Sequence, residues 1–303
     1  MVAPIGLLGG GAIGQLLAWQ LQQQRVPLRL LSRPNSPSGW QAHQLTQRHG
    51  RTDHYTLLHD ASPGPLQALL VTVKAQQVEA ALAPVLAWLP QKTPIVLLHN
   101  GMGPQHALLQ QYPERTWWWG TLSDGALRQA PHQVRCTGVG LRQAGPAQNQ
   151  PLSQAPKALR RLGFALTEQI EPVLWRKLTV NALVNPVAAR DEVINGALLA
   201  PGYRQELLAL CQELVPLGRQ FGVEESAEQC LARALRVVKA TAGNRCSTLQ
   251  DRDAGRSNEL ANITGFVLSL AAQQGVNLPQ HQRLWQQWQT LAASRQPGSL
   301  QPA

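Results

Sequence analysis

Hydrophobic and polar positions follow two different patterns along the chain. In the first half, short apolar runs predict buried strands at residues 4–8, 28–31, 68–73 and 94–98. Between them, apolar residues recur at helical spacing, most clearly over 12–24 and 78–89. Strands that alternate with helices are typical of a parallel sheet with right-handed crossovers.

Near residue 170 the pattern changes to helices alone. Apolar residues at helical spacing predict helices over 172–189, 204–221, 226–242 and 258–274, with no strand pattern between them. Residues 120–166 still have the character of strands and turns. We therefore predict an α/β protein in which residues 1–169 form a Rossmann-like domain and residues 170–303 an all-helical domain.

A glycine-rich turn follows the first predicted strand and opens the first predicted helix. Its residues are Gly9-Gly10-Gly11-Ala12-Ile13-Gly14, which fit the dinucleotide-binding pattern G-x-G-x-x-G in the context that the pattern requires. In that pattern Gly9 permits the turn, Gly11 lets a pyrophosphate approach the backbone, and Gly14 allows close packing. The helix N-terminus then offers N–H groups to the phosphates. A glycine turn without a ligand is the alternative interpretation.

The end of the second predicted strand bears on the choice of cofactor. NAD enzymes usually place an acidic residue there to bind the ribose 2′-hydroxyl, whereas this chain has Ser32 and Arg33. A guanidinium can hold the oxygens of a 2′-phosphate, so the sequence favours NADPH over NADH. An exposed loop arginine would have no such role.

The charge balance admits several classes of partner. The 27 lysines and arginines against 17 acidic residues give a net charge of +10 and a pI near 10.2. This favours anionic partners: nucleic acid, an acidic membrane surface, or an anionic cofactor and substrate. The basic residues are scattered, with no run longer than a pair such as Arg160-Arg161, which argues against nucleic acid.

Other classes of protein are excluded by simple patterns. No apolar run reaches the ~18 residues of a membrane span, and the N-terminus lacks the basic start of a signal peptide. The four cysteines have no CxxC or CxH spacing, so neither a disulfide framework nor a metal site is predicted. We expect a soluble cytoplasmic protein, and the sequence leaves open whether it is a monomer or a homodimer.

Lys74 and Asn100 follow the third and fourth predicted strands. Ligands of doubly wound sheets bind at the carboxyl ends of strands, so both residues are candidates for ligand contacts. Each also has an ordinary structural interpretation. Taken alone, Lys74 is more typical of a solvated strand end, and Asn100 in Asn100-Gly101 is typical of a tight turn.

In the helical half, Lys177, Asn181 and Asn185 are four residues apart and share one helix face in apolar surroundings. Such a stripe suits a cleft, where the amides orient a substrate and the lysine donates a proton to a developing alkoxide. A solvent-facing stripe is the alternative. Asn244 and Ser247 are three apart and could share a face suited to a carboxylate.

Glu259, near a predicted helix start, completes the group of candidate residues. Taken alone, Glu259 is typical of a helix-end charge. With all of these residues in this order, the chain resembles the ketopantoate reductase (2-dehydropantoate 2-reductase) family from the glycine turn to about residue 278. The matching pieces are the turn, Arg33, residues 73–75, 99–103, 175–178 with Asn181 and 185–186, 195–196, 247–251, and 258–259 with Asn262 and Gly265.

The resemblance implies an active site in a cleft between the two domains and NADPH/NADP+ as cofactor. It implies that Lys177 is the catalytic proton donor to the ketone oxygen. The substrate contacts implied are Asn100, Asn181, Asn185, Asn195, Asn244 and Ser247. The cofactor contacts implied are Gly9, Gly10, Gly11, Ala12, Ile13, Gly14, Arg33, Lys74, Asn100, Ala126 and Glu259.

The function expected is reduction of 2-dehydropantoate to pantoate, a step of pantothenate and coenzyme A biosynthesis. A related reductase of another 2-keto acid is the first alternative, because Arg190-Asp191-Glu192 places charges in a loop that is often less polar in the family. A non-catalytic NADPH-binding regulator is the second. Another departure is Trp117-Trp118-Trp119, which we interpret as strand packing.

Overall fold

The computed structural model of the chain describes residues 2–31 and 36–293. It divides into two compact units, one comprising residues up to 99 together with 103–170, and the other comprising 100–102 together with the chain from 171 onward. The short segment 100–102 belongs with the helical unit because the Met102 N–H donates to the carbonyl of Asn262 at 3.0 Å.

The first unit is built on a mixed sheet. Its strands, in chain order, are β1 (Ile5–Leu8), β2 (Leu28–Leu31), β3 (Gly39–Thr46), β4 (Thr52–His59), β5 (Leu69–Val71), β6 (Ile95–Leu97), β7 (Trp117–Leu122), β8 (Gly125–Ala130), β9 (Gln133–Gly138), β10 (Arg142–Pro146) and β11 (Ala165–Leu166). Its helices are α1 (Ala12–Gln23), α2 (Val78–Leu86), α3 (Pro104–Gln111) and α4 (Lys157–Arg161).

The order across the sheet is β11-β10-β7-β6-β5-β1-β2-β4-β3-β9-β8. The block from β4 to β7 is parallel throughout, with Leu7 of β1 opposite Leu30 of β2 on one side and Leu70 of β5 on the other. Its order, β4-β2-β1-β5-β6-β7, is that of a doubly wound nucleotide-binding sheet. The predicted Rossmann-like fold is confirmed.

Two long strands of this unit were not predicted. β3 and β4 form an antiparallel pair that stands between β2 and β5 in the sequence, where the simple alternation predicts a helix. Many of their residues are polar and only 5 of their 16 positions are buried, so no apolar run marks them. The pair widens the sheet beyond β2, since β4 runs parallel to β2.

The core of the unit lies between α1 and the sheet. α1 buries Leu16, Leu17 and Leu21 and contacts β1, β2, β3, β8 and β9. On β7, the three tryptophans Trp117, Trp118 and Trp119 are almost completely buried, so their interpretation as strand packing is confirmed.

Buried polar side chains also lie against α1. The hydroxyl of Tyr55 donates to the carbonyl of Gln15, and His43 is in contact with the Gln15 side chain. Burial, with smaller contributions from the imidazoles of His132 and His59, lowers the pKa of His43 to about 3, so this ring is neutral at pH 7.

In the part of the second unit that the structure describes, every regular element is helical. The α-helices are α5 (Ile170–Arg190), α6 (Pro201–Gly218), α7 (Ala227–Ala240), α8 (Ser247–Asp253), α9 (Phe266–Gln273) and α10 (Pro279–Ala293). A 3₁₀ helix spans Asn195–Leu199, and a π-helical segment, Ala261–Gly265, leads into α9. The predicted helical domain is confirmed, although α8 and α10 were not predicted.

Pro186 lies inside the first of these helices, where a proline commonly ends or kinks a helix. It does not end it, because α5 continues to Arg190. Among the described helices, none is long and apolar enough to cross a membrane.

Candidate functional site

The glycine turn follows β1 directly, and two of its glycines are required by protein packing. Gly9 has φ +119°, and a Cβ there would lie 2.7 Å from the backbone N of Val73. A Cβ at Gly14 would lie 1.9 Å from the carbonyl oxygen of Gly9. Both distances are too short for any side chain, so the turn and the close approach of α1 to β1 depend on glycine at these positions.

Gly11 differs from these two glycines. It is the N-cap of α1 with extended backbone (φ −72°, ψ −174°), and a Cβ there would meet no described atom within 4 Å. Packing therefore does not demand glycine at this position. Close approach of a ligand to the backbone would demand glycine there, and the dinucleotide pattern assigns this role to Gly11.

The turn is also held in a shape that suits an anion. The Thr72 hydroxyl donates to the carbonyl of Gly9 at 2.8 Å, and the Gln15 side chain donates to the carbonyl of Gly10 at 2.8 Å. Both carbonyls are thereby occupied. At the start of α1, no side chain caps the N-terminus and no acidic residue occupies the first turn, so its N–H groups are free of a side-chain cap. The residues fit the pyrophosphate of a dinucleotide.

Lys74 lies at the same edge of the sheet as the glycine turn. It follows β5, which pairs in parallel with β1, and it is half-buried at the start of a short 3₁₀ turn. Ala126 lies on the edge strand β8, at a bulge beside Gly125, and packs against the core under α1. Arg33 lies outside the described residues.

In the second unit, Asn100 and Glu259 are in direct contact. The Asn100 amide donates to a carboxylate oxygen of Glu259 at 3.0 Å. The neighbouring Gly101 has φ +80°, and a Cβ there would lie 2.5 Å from the carbonyl of Asn262. The Asn100 turn is therefore fastened to the π-helical segment, an irregularity that often occurs at functional sites. Glu259 precedes this segment at a helix start, as predicted.

The polar stripe lies along one face of α5. Lys177 and Asn181 are half-buried, and Asn185 is buried. The backbone carbonyl of Asn185 accepts a weak hydrogen bond from the thiol of Cys246 at 3.7 Å. Because Ser247 follows Cys246 and begins α8, this contact brings the start of α8 to the end of the stripe.

Asn195 and Asn244 come together through their backbones. Asn195 N–H donates to the Asn244 carbonyl at 2.9 Å, and the Asn195 amide donates to the Thr241 hydroxyl at 2.9 Å. The Asn195 side-chain oxygen is buried and has no hydrogen-bond partner among the described residues. Asn195 is itself buried and begins a 3₁₀ helix.

The suggestion that Asn244 and Ser247 share a helix face was wrong. α8 begins at Ser247 itself, so Asn244 lies in the preceding loop, and both residues are exposed. The charges of residues 190–192 also have local partners. Arg190 pairs with Asp191 at 2.7 Å and with Glu206 of α6, and its hydrogen bond holds the pKa of Asp191 below the usual value.

Two residues that shape the glycine turn, Gln15 and Thr72, were not predicted. Both act by donating to backbone carbonyls, which no motif records. The signal for Gln15 is a polar residue on the buried face of a helix, since it is 1% exposed between apolar neighbours.

Comparison with known proteins settles the family. The model described as "Ketopantoate reductase PanE/ApbA" matches residues 5–149, and "Ketopantoate reductase PanE/ApbA C terminal" matches residues 169–292. A 2-dehydropantoate 2-reductase from Vibrio cholerae is 33% identical over 299 residues, covering 96% of this chain and 98% of that protein. The chain belongs to the ketopantoate reductase family.

Solved structures agree with this membership. A ketopantoate reductase family structure, the probable 2-dehydropantoate 2-reductase panE from Bacillus subtilis, has a TM-score of 0.79 and 27% identity, covering 95% of this chain and 99% of that one. A D-mandelate dehydrogenase in complex with NADH and anilino(oxo)acetate has a TM-score of 0.86 at 19% identity, covering 96% and 99%. At that identity the second likeness shows the fold alone.

Proposed function

We propose that this protein reduces 2-dehydropantoate to pantoate with NADPH, in pantothenate and coenzyme A biosynthesis. The observation that carries the proposal is the half-buried stripe of Lys177, Asn181 and Asn185 in a chain whose family membership extends over both units. Cofactor binding is assigned to the first unit, and proton donation with most substrate contacts to the second.

The proposed cofactor site is the glycine turn with the start of α1. Its fit to a pyrophosphate rests on the Cβ distances at Gly9, Gly11 and Gly14 and on the uncapped helix N-terminus. When bound, the nicotinamide cofactor supplies the hydride. Lys74, Ala126 and Arg33 are proposed as further contacts, with Arg33 directed to the 2′-phosphate.

Lys177 is proposed as the proton donor. As the keto carbon is reduced, its oxygen gains negative charge, and an ammonium group at hydrogen-bond distance stabilises that charge and delivers the proton. Asn181 and Asn185 lie on the same face one and two turns along α5, where their amides can orient the substrate. Glu259, through its hydrogen bond to Asn100, holds that amide in one orientation for contact with cofactor and substrate.

The substrate carries a carboxylate at one end and a hydroxyl at the other. We assign the carboxylate to the exposed hydroxyl of Ser247, assisted by Asn244. The buried oxygen of Asn195 is an acceptor that lacks a partner in the described residues, so it suits the hydroxyl, which can donate to it. This distinguishes the proposed substrate from simple 2-keto acids without a hydroxyl.

A reductase of another 2-keto acid is the second candidate. The D-mandelate dehydrogenase, whose structure holds anilino(oxo)acetate, has a similar fold, so the fold alone does not select 2-dehydropantoate. The charges of residues 190–192 are weaker evidence for a different substrate than the sequence suggested, because Arg190 forms hydrogen bonds with Asp191 and Glu206. A regulator without catalysis has no need of the Lys177 stripe.

One assay separates these functions. NADPH oxidation is followed with 2-dehydropantoate and with a panel of 2-keto acids that includes phenylglyoxylate, and the series is repeated with NADH. We expect the highest kcat/KM for 2-dehydropantoate with NADPH. A higher kcat/KM for another acid would establish the second candidate. If no acid stimulates NADPH oxidation, the remaining interpretation is a regulator without catalytic activity.

Replacing Asn195 by alanine is expected to raise KM for 2-dehydropantoate about 10-fold, because one hydrogen bond to the substrate hydroxyl is lost. The Kd for NADPH, measured by fluorescence, should not change. Thr241→Val is the matched control: it removes the hydrogen bond that holds the Asn195 amide while leaving the acceptor oxygen in place. An equal rise in KM in both variants would show that Asn195 only supports the local structure.

A further inference from the structure

Three histidines that the proposed reaction does not use converge in the first unit. His43 lies on β3, His59 ends β4, and His132 occupies the turn between β8 and β9. Although they are far apart in sequence, the pairing of β3 with both β4 and β9 brings them together. We call His43, His59 and His132 the histidine cluster.

The rings of the histidine cluster are in direct contact. The His43 and His132 rings stack with centroids 4.3 Å apart, and His59 lies 5.2 Å from each of the others. One ring nitrogen from each residue lies within 4.8 Å of the other two. Within residues 2–31 and 36–293, no other three histidine, cysteine or acidic side chains meet in this way.

The hydrogen bonds around His43 determine which of its nitrogens carries the proton. The Gln15 amide nitrogen donates to the Gly10 carbonyl, so the Gln15 oxygen faces His43 Nδ1 at 3.1 Å. Nδ1 must then be the protonated nitrogen, and Nε2 carries the lone pair. A metal-binding histidine is commonly oriented in this way, with its second nitrogen donating to a fixed acceptor.

The lone pair of His43 Nε2 points at His59 Nε2, 2.9 Å away. In the metal-free protein, His59 Nε2 donates this hydrogen bond. A metal ion can take its place when His59 shifts its proton to Nδ1, which requires no net gain or loss of protons.

The nitrogen–nitrogen distances show how far the rings must move to form a tetrahedral centre. With Zn–N bonds of about 2.0–2.1 Å, ligand nitrogens lie about 3.3 Å apart. The His43–His59 pair therefore has to open by about 0.4 Å, and His132 has to approach by up to about 1.5 Å. His132 can make this adjustment because it lies in a two-residue turn and is only half-buried.

The backbone conformation at His132 is one that glycine can also adopt. Its φ is +60°, in the left-handed region that glycine and asparagine occupy most readily. The Gln44 N–H donates to the His132 carbonyl at 2.8 Å, so movement of the ring towards a metal ion would come from rotation of the side chain. In this turn the His132 imidazole stacks on that of His43.

The site is open to solution on one side. A cavity of ≈ 320 Å³ is lined by His43 and His132 together with residues of β3, β4 and the start of β9. An ion can enter by this route, and water can complete its coordination sphere.

We propose that the histidine cluster is a binding site for a divalent transition-metal ion such as Zn²⁺, with Gln15 orienting His43. Three imidazoles suit Zn²⁺ and disfavour Mg²⁺, which takes oxygen ligands. Because Gln15 also holds the carbonyl of Gly10, the site adjoins the glycine turn without sharing its residues.

The experiment is a Zn²⁺ titration of the full-length chain, carrying no polyhistidine tag and stripped of metal, in competition with a chromogenic chelator. No substrate or cofactor is present, so the result is independent of the proposed reductase activity. We expect one equivalent of Zn²⁺ to bind to the cluster and to raise Tm, and an equal concentration of Mg²⁺ to have no effect.

His132→Gly is the decisive variant, because glycine accepts the left-handed backbone and the fold is retained. It should weaken Zn²⁺ binding at least about tenfold and abolish the Zn²⁺-induced rise in Tm. His49→Gln, which removes an exposed histidine from the turn after β3, is the matched control and should bind as the wild type does. Equal affinity in the wild type and His132→Gly, or no stoichiometric binding in the wild type, would overturn the proposal.

Discussion

Replacing Lys177 by alanine is expected to lower kcat for 2-dehydropantoate by about 10²–10⁴-fold, the range associated with loss of a general acid. The reason is that the reduced oxygen would have to take its proton from water, without a positioned cation to stabilise the charge. The Kd for NADPH should remain within about twofold, because the glycine turn that is proposed to bind the pyrophosphate belongs to the other unit. Stopped-flow single turnovers with NADPH and fluorescence titration measure the two quantities separately.

A matched control is available in the same unit. Lys239 is an exposed lysine in the last turn of α7, and Lys239→Ala removes the same charge from a position that the mechanism does not use. Its kcat should equal that of the wild type. Near-normal turnover in Lys177→Ala, or an equal loss in both variants, would remove Lys177 from the role of proton donor.

The parts of the fold that could be predicted are those where burial is complete. β1, β2, β5 and β6 are buried along their whole length, so they stand out as short, largely apolar runs, with Arg29 the one charged residue among them. β3 and β4 are half-exposed and carry His43 and His59 among other polar residues, so periodicity does not reveal them. α10 was missed for a similar reason, since its buried positions, His281, Leu284 and Trp288, are separated by glutamines.

Some residues of the candidate site could likewise be predicted from the sequence, and others could not. Gly9, Gly14 and the stripe on α5 could be predicted because a motif or a helical spacing records them. Asn100 shows what spacing cannot supply. It follows a strand of the first unit, yet its amide donates to Glu259, 159 residues later, and the nearby Met102 N–H donates to the carbonyl of Asn262. The histidine cluster likewise depends on the register of three strands.

Two glycine-to-alanine substitutions in the glycine turn, at Gly14 and Gly11, test folding and cofactor binding separately. Gly14→Ala places a Cβ 1.9 Å from the Gly9 carbonyl oxygen and 2.6 Å from the Thr72 hydroxyl. Neither close contact can be relieved by movement of a flexible side chain, because the first is with backbone and the second is with a hydroxyl held by its hydrogen bond to Gly9. We expect the free energy of unfolding to fall by about 3 kcal/mol or more.

Gly11→Ala should do the opposite. Its Cβ meets no described atom within 4 Å, and its backbone conformation is open to alanine, so the free energy of unfolding should change by less than about 0.5 kcal/mol. The added methyl group instead occupies the position where the pyrophosphate is proposed to approach, and Kd for NADPH should rise at least about tenfold. Urea unfolding and fluorescence titration measure the two effects. Unchanged NADPH affinity in Gly11→Ala would mean that the dinucleotide does not lie against this turn, because the variant leaves every packing contact of the turn in place.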